Sequence, residues 1–365
     1  MLHLSSYKAL LLGAGLSFSA LAPALAQTKT PKYSNEFLNV GVGGRALGMG
    51  KVQVSLANDA TAGYWNPAGL VNQKTKFDGV LMHSELFSGI VKNDYAGFGM
   101  KLDDKSALGV SLIRLGVDDI ADTRNLVNEY GYIDYNNIRY FSVADYALLL
   151  SYARQISSIK GLQVGANAKV IYRNIGSFAD AIGFGIDAGV QYRRNGWQLG
   201  LMARDITTTY NAWTIHRDQF EGPANALDQI PENSTEITLP LFVFGGSRLI
   251  RLPGEFTALA ALDMELSTDG QRNTLVSSKA VNIDPRAGLE LGYKNLVYLR
   301  GGVGNAQQVQ SFTGSETWKV QPSLGLGVAL SGLRLDMALT RLAVEKLGQR
   351  SQPTSIIVSL GYGLK

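Results

Sequence analysis

The sequence predicts an all-β fold: a transmembrane antiparallel up-and-down β-barrel of about 14 strands with an N-terminal hatch, or plug, segment. Three observations predict it. From about residue 76 to the C-terminus, hydrophobicity alternates with a period of two, segment after segment. Beyond the first 26 residues no apolar run reaches the roughly 18 residues that a membrane helix needs, so a chain of this composition that spans a bilayer has to close a barrel. The connections alternate between short and long, as they do when short turns lie on one side of a membrane and long loops on the other.

Residues 1–26 read as a secretory signal peptide. Met1 to Lys8 carry a cation and no acid, the stretch up to Leu25 is almost wholly apolar, and Ala24-Leu25-Ala26 before Gln27 is an A-x-A cleavage site. Residues 27–75 are the expected hatch and residues 76–365 the expected barrel. Composition removes most chemistry. With no cysteine and 3 histidines, of which only His83 and His216 lie beyond the signal and far apart, neither a metal site nor a catalytic triad has material. No catalytic residue, metal or cofactor is expected. A formal net charge of +4 over 365 residues offers no basic patch for nucleic acid.

The clearest strands lie in mid-chain. In residues 162–173 the even positions are Leu162, Val164, Ala166, Ala168, Val170 and Tyr172, against Gln163, Gly165, Asn167, Lys169, Ile171 and Arg173. The next segment sets Ile182, Phe184, Ile186, Ala188, Val190 and Tyr192 against Gly183, Gly185, Asp187, Gly189, Gln191 and Arg193. One face is apolar and ends in a tyrosine, which suits the headgroup boundary; the other is polar or glycine. The same pattern returns in later segments up to 355–364. The first strand, 76–87, keeps the weakest parity. Linkers at 103–105, 155–161, 194–196, 247–254, 294–295 and Gly332 are short, whereas 117–141, 205–234, 267–283, 305–316 and 342–353 are mostly long and polar.

Ahead of the barrel, Gly41-Val42-Gly43-Gly44-Arg45-Ala46 matches the G-x-G-x-x-A fingerprint of a dinucleotide-binding turn. No alternation of helices and strands follows it, as a nucleotide fold requires. The glycines instead suit a plug packed tightly against a barrel wall whose inward positions are also rich in glycine. The longer stretch "FLNVGVGGRALGMG…SLANDATAGYWNPAGL" resembles the N-terminal signature of the PorV/PorQ family, Bacteroidetes outer-membrane barrels associated with type IX secretion and distantly similar to the FadL long-chain fatty acid transporters. Arg45, Gly48 and Gly50 carry the part closest to PorV. Asn66, Pro67 and Ala68 carry the element shared with the FadL hatch, and Trp65 beside them is expected to be buried against the inner wall.

Inside the barrel, opposite charges are expected to face one another across neighbouring strands: Lys169 with Asp187, Glu290 with Arg300, and Glu265 with Arg286. They read as rungs that stiffen a filled lumen rather than as a solute path. The resemblance implies a non-catalytic outer-membrane component of type IX secretion in a Gram-negative, Bacteroidetes-type bacterium. Such a barrel binds the C-terminal sorting domains of secreted cargo, or scaffolds the surface attachment complex, with outer-membrane lipid and other secretion components as partners. Tyr210, Trp213 and Phe220 in the 205–234 connection are the candidate recognition residues. The alternative, implied by the FadL likeness, is a passive transporter of hydrophobic solutes.

Overall fold

A computed structural model describes residues 34–127, 130–220, 229–310, 315–341 and 354–364. The expected signal peptide, the first residues of the hatch and the whole 342–353 connection lie outside them. Sixteen strands follow the hatch: β1 (Phe77–Leu86), β2 (Val91–Lys101), β3 (Ser106–Asp122), β4 (Arg139–Gln155), β5 (Leu162–Ile175), β6 (Ala179–Arg194), β7 (Trp197–Arg204), β8 (Thr209–Ile215), β9 (Asn233–Thr238), β10 (Leu241–Arg251), β11 (Phe256–Ser267), β12 (Asn282–Tyr293), β13 (Val297–Gln310), β14 (Glu316–Leu330), β15 (Leu333–Arg341) and β16 (Thr354–Leu364). Neighbours pair antiparallel, and β1 pairs with β16. No helix among the described residues is long and apolar enough to cross a membrane.

The sixteen segments make a closed wall of fourteen strands. The difference arises at one place. β6 pairs with β7 along residues 188–194 and with β8 along residues 179–184, so β7 and β8 form one line interrupted at 205–208. Their partners β10 and β9 form a second line interrupted at 239–240, since Leu241 lies opposite Arg204 and Thr238 opposite Thr209. Pro240 has no N–H to give to a ladder. Asp205 and Thr208 take left-handed backbone angles, φ 53° and 63°. Four residues thus stand against two, and the inward parity changes across them, from Met202 and Arg204 on one side to Thr209 and Asn211 on the other.

The two faces divide as their chemistry requires. On β6, Ile182, Phe184 and Ile186 point outward, whereas on β5 Gln163, Asn167 and Lys169 point inward and are buried. Tyr152, Tyr172, Tyr293 and Tyr362 are exposed on the outer face. β1 alternates cleanly in space although not in hydropathy, because Asp78 and Ser84 turn inward while His83 and Glu85 turn outward.

The structure corrects one reading in particular. The 205–234 connection is only in part a loop, because residues 209–215 of it form β8 and residues 233–234 begin β9. Residues 209–215 alternate, with Asn211 buried and Tyr210 and Ala212 exposed, but the run is short and its outward positions are weakly apolar, so period two was hidden. Likewise the 117–141 connection is shorter than expected, since β3 continues past a bulge to Asp122 and β4 begins at Arg139.

Candidate functional site

The hatch enters the lumen from the end of the barrel that carries the short turns. It contains a 3-10 turn (Glu36–Asn39), two short helices α1 (Gly44–Gly48) and α2 (Ala62–Trp65), and a second 3-10 turn (Pro67–Asn72). Asn66 sets the last of these. Held in an extended conformation before Pro67, it accepts the Ala68 N–H through Oδ1 at 3.2 Å and donates through Nδ2 to the Val54 and Val190 carbonyls, both at 3.0 Å. It therefore caps a turn and ties the hatch to β6 with one side chain. Ala68 is fully buried against Gly165: a Cβ there would come within 2.5 Å of the Ala68 nitrogen.

Close approach explains the glycines of the opening signature. A Cβ on Gly48 would stand 2.8 Å from the Gly325 Cα, and one on Gly302 would stand 2.1 Å from the Met49 carbonyl carbon. Hatch and wall meet backbone to backbone. Gly50, at φ 70°, takes a left-handed turn against β13. Around these contacts Val42, Met49, Val52, Leu56 and Leu70 are fully buried, each contributing about 1.5–3 kcal/mol relative to exposure. Trp65 is buried as well, but its ring packs edge-on against Tyr64 and its Nε1 donates to the Val42 carbonyl at 2.9 Å. It belongs to the core of the hatch more than to the wall.

Charge supplies the remaining ties. Arg45 makes a two-pronged contact with Glu290, both bonds 2.9 Å, and Glu290 in turn meets Arg300 at 2.6 Å, which reaches Asp336 at 2.6 Å. Glu290 and Arg300 stand directly opposite in the ladder. Lys169 is placed directly opposite Gly185 and meets Asp187 diagonally at 2.7 Å and Asp205 at 2.6 Å. Arg286 meets Glu265 at 2.7 Å, also diagonally, and Asp284 at 3.0 Å.

Several groups escaped the sequence reading. Asp263 accepts the Gln53 and Val54 N–H groups through one oxygen, and Arg193 donates to three hatch carbonyls, closest at 2.9 Å to Ala57. Their signal was an inward parity on otherwise apolar strands. Asp205 and Lys51 had none, because one lies past a strand end and the other in an irregular turn.

Tyr210, Trp213 and Phe220 do not form one recognition surface. Tyr210 faces outward from the wall; Trp213 donates to Glu236 at 2.9 Å beneath the Arg173 guanidinium; Phe220 packs on Phe178.

Among the described residues several cavities adjoin the hatch, and three of them matter here. One, about 30 Å³, lies behind the wall interruption, lined by Leu38 and Tyr64 from the hatch and by Arg204, Asp205, Leu239 and Pro240 from the wall. A second, about 160 Å³, is a mainly apolar cleft between the hatch and β1 and β16 at the loop end. The third, about 280 Å³, is a polar chamber beside it. Lys51 borders both. Its pKa is pushed down to about 8 by burial and by the nearby Arg286 cation.

No family model matches this chain, and neither does any curated protein. Solved structures do. The Pseudomonas putida toluene transporter TodX aligns over 89% of this chain and 99% of its own, with 14% identity and a TM-score of 0.57. The Ralstonia pickettii toluene transporter TbuX aligns over 89% and 99%, with 12% identity and a TM-score of 0.55. A Pseudomonas aeruginosa FadL homologue aligns over 89% and 98%, with 11% identity and a TM-score of 0.50. At such identities the likeness establishes the fold, that of the FadL-like barrels. These neighbours are transporters or channels, not enzymes. The expected kinship with PorV/PorQ and the type IX secretion role gain no support from them, and Tyr210 and Trp213 of the expected recognition loop belong to a wall strand.

Proposed function

We propose that the protein is a passive outer-membrane channel for hydrophobic solutes. The observation that carries this reading is the interruption of the ladder at 205–208 and 239–240, behind which lies a small space of about 30 Å³ lined in part by Lys169, Asp187 and Asp205. The hatch fills the turn end of the lumen, so a solute entering from the loop end meets a backbone plug seated on glycine. A complete ladder would also close every sideways path, because each wall N–H and C=O would be paired. At the interruption those pairings lapse over two residues, and the face beyond is apolar, carrying Ile206 and Phe244. An apolar solute gains free energy by leaving sideways into hydrocarbon, about 25 cal/mol per Å² of surface removed from water, whereas an ion loses it. Direction is then set by the concentration gradient alone.

The fold neighbours named as toluene transporters support the same reading. Deletion of Ile206 and Thr207 tests it. Removing two residues leaves two against two between the lines and touches no other ladder pairing, so the barrel is expected to keep its heat-modifiable mobility on gels. Uptake of radiolabelled toluene by cells carrying the variant in the outer membrane is expected to fall to the level of cells without the barrel. Undiminished uptake would mean that solute does not leave through the wall here.

A further inference from the structure

The cleft and the polar chamber meet at Lys51, and their chemistry differs sharply across that residue. Val40, Leu47, Leu86, Phe87 and Ile357 line the cleft. In the chamber the guanidinium groups are already matched: Arg286 by Glu265 and Asp284, and Arg272 by Glu36 at 2.8 Å and Asp269 at 2.6 Å. Three cations, counting Lys51, thus stand among four carboxylates. Lys51 itself donates one bond, to the Asn39 carbonyl at 3.0 Å, and among the described residues no carboxylate lies within ion-pair distance of its ammonium. An ammonium has three donors. It is held at the junction by a left-handed backbone, φ 68°, immediately after Gly50, a conformation that costs a non-glycine residue free energy and persists where the surroundings impose it.

The other side of the junction supplies acceptors. Gln321 Oε1 accepts from Asn305 Nδ2 at 3.2 Å, and Asn305 Oδ1 accepts from Gln307 Nε2 at 2.8 Å. Each of these amide oxygens has a second lone pair. A hydrocarbon in the cleft leaves the ammonium donors and the amide acceptors facing apolar surface without partners. A carboxylate adds a fifth negative charge to a site where acids already outnumber cations. A hydroxyl oxygen accepts from Lys51 while its proton goes to an amide oxygen, and it brings no charge.

We propose that this junction selects apolar solutes that carry one neutral hydroxyl, such as small alcohols and phenols, with the carbon skeleton in the cleft and the hydroxyl between Lys51 and the Asn305–Gln321 amides. This rests on the channel reading and narrows its solute class.

Three probes with the same ring, toluene, benzyl alcohol and benzoate, separate the possibilities. With the full barrel in lipid nanodiscs and empty nanodiscs as the blank, equilibrium dialysis is expected to show benzyl alcohol bound about 10-fold more tightly than either of the others, the ratio that one net hydrogen bond supports. In Lys51→Met that ratio is expected to fall to within about twofold. Gln321→Leu, which leaves the strained turn untouched, is expected to lower the same ratio and carries the test if Lys51→Met does not fold. Toluene bound as tightly as benzyl alcohol, benzoate bound most tightly, or a ratio unchanged in both variants would each overturn the proposal. Uptake by cells separates the two levels. If none of the three probes enters faster than into cells lacking the barrel, the channel reading itself fails; if all enter equally fast, only the hydroxyl selectivity fails.

Discussion

Two sectors of the wall solve the same physical problem in different ways. In the sector β12–β15 the ladder is continuous around the buried charges, from Ala287 opposite Val303 to Tyr293 opposite Val297, although β12 and β13 part beyond the first of these pairs and β13 shifts register against β14 between Gly304 and Gln307. Here Glu290, Arg300 and Asp336 run across neighbouring strands to Arg45 of the hatch. In the sector β6–β10 the ladder is interrupted, and the buried charges Lys169, Asp187 and Asp205 converge on the interruption itself. Each sector centres on a buried cation between two carboxylates. The first network fastens a plug to a paired stretch of wall; the second fixes the shape of a gap, because Asp205 opens the bulge and Asp187 also accepts the Asp205 N–H at 2.9 Å. What differs is redundancy. Glu290 has a second cation, whereas Asp187 and Asp205 share one.

That contrast can be broken at its strongest point first. Lys169→Met leaves two buried carboxylates without a cation, which costs about 3–5 kcal/mol. The expected outcome is a barrel that loses heat-modifiable mobility at a lower temperature. Arg300→Met is the matched change in the continuous sector. Because Arg45 still holds Glu290, the expected cost is lower, about 1.5–3 kcal/mol for the lost charged hydrogen bonds. Equal melting shifts for the two variants would show that redundancy is not what separates the sectors.

Gly48→Val comes next and tests the seat of the hatch without touching any charge. There is no room for the side chain beside Gly325, so overpacking of about 1–3 kcal/mol is expected to fall on the hatch, while the wall keeps its pairing. In planar bilayers the parent is expected to be closed and the variant to show larger or noisier openings; two equally silent proteins would mean the glycine contact does not hold the plug. The smallest effect is expected at His216, which meets Asp180 at 2.9 Å in a partly exposed pair at the loop end of the interrupted sector. His216→Ala should change stability by less than about 1 kcal/mol. A larger loss would place the anchoring of the gap above the membrane and not at Lys169.

The outer face of the wall was legible in the sequence because hydrocarbon imposes a rule on every second residue, and Val170, Phe184 or Leu326 obeys it wherever the strand sits. Inward positions obey no single rule. Lys169 could be placed in the lumen by parity, and its neighbour Asp187 found within one residue pair, but Asp205 lies beyond the end of β7, where parity has no meaning. The interruption itself was missed for a related reason. Residues 205–234 are polar and rich in turn formers, as a loop would be, and only the pairing of β8 with β6 and of β9 with β8 reveals 209–215 and 233–234 as wall.

By itself the sequence determined that this chain forms a closed antiparallel barrel with a glycine-rich plug, since period two, the absence of a long apolar run and the backbone's need for hydrogen-bond partners in lipid leave no other membrane-spanning form. The extended backbone of Asn66 before Pro67 is likewise local, because the restriction before proline needs no distant contact. Tertiary structure alone decided where the wall is interrupted, that Trp65 serves the hatch core, and that Lys51 is left at the boundary between an apolar cleft and a polar chamber. Each of these depends on which residues from distant strands reach the same place, and contacts of that kind leave no periodic trace along the chain.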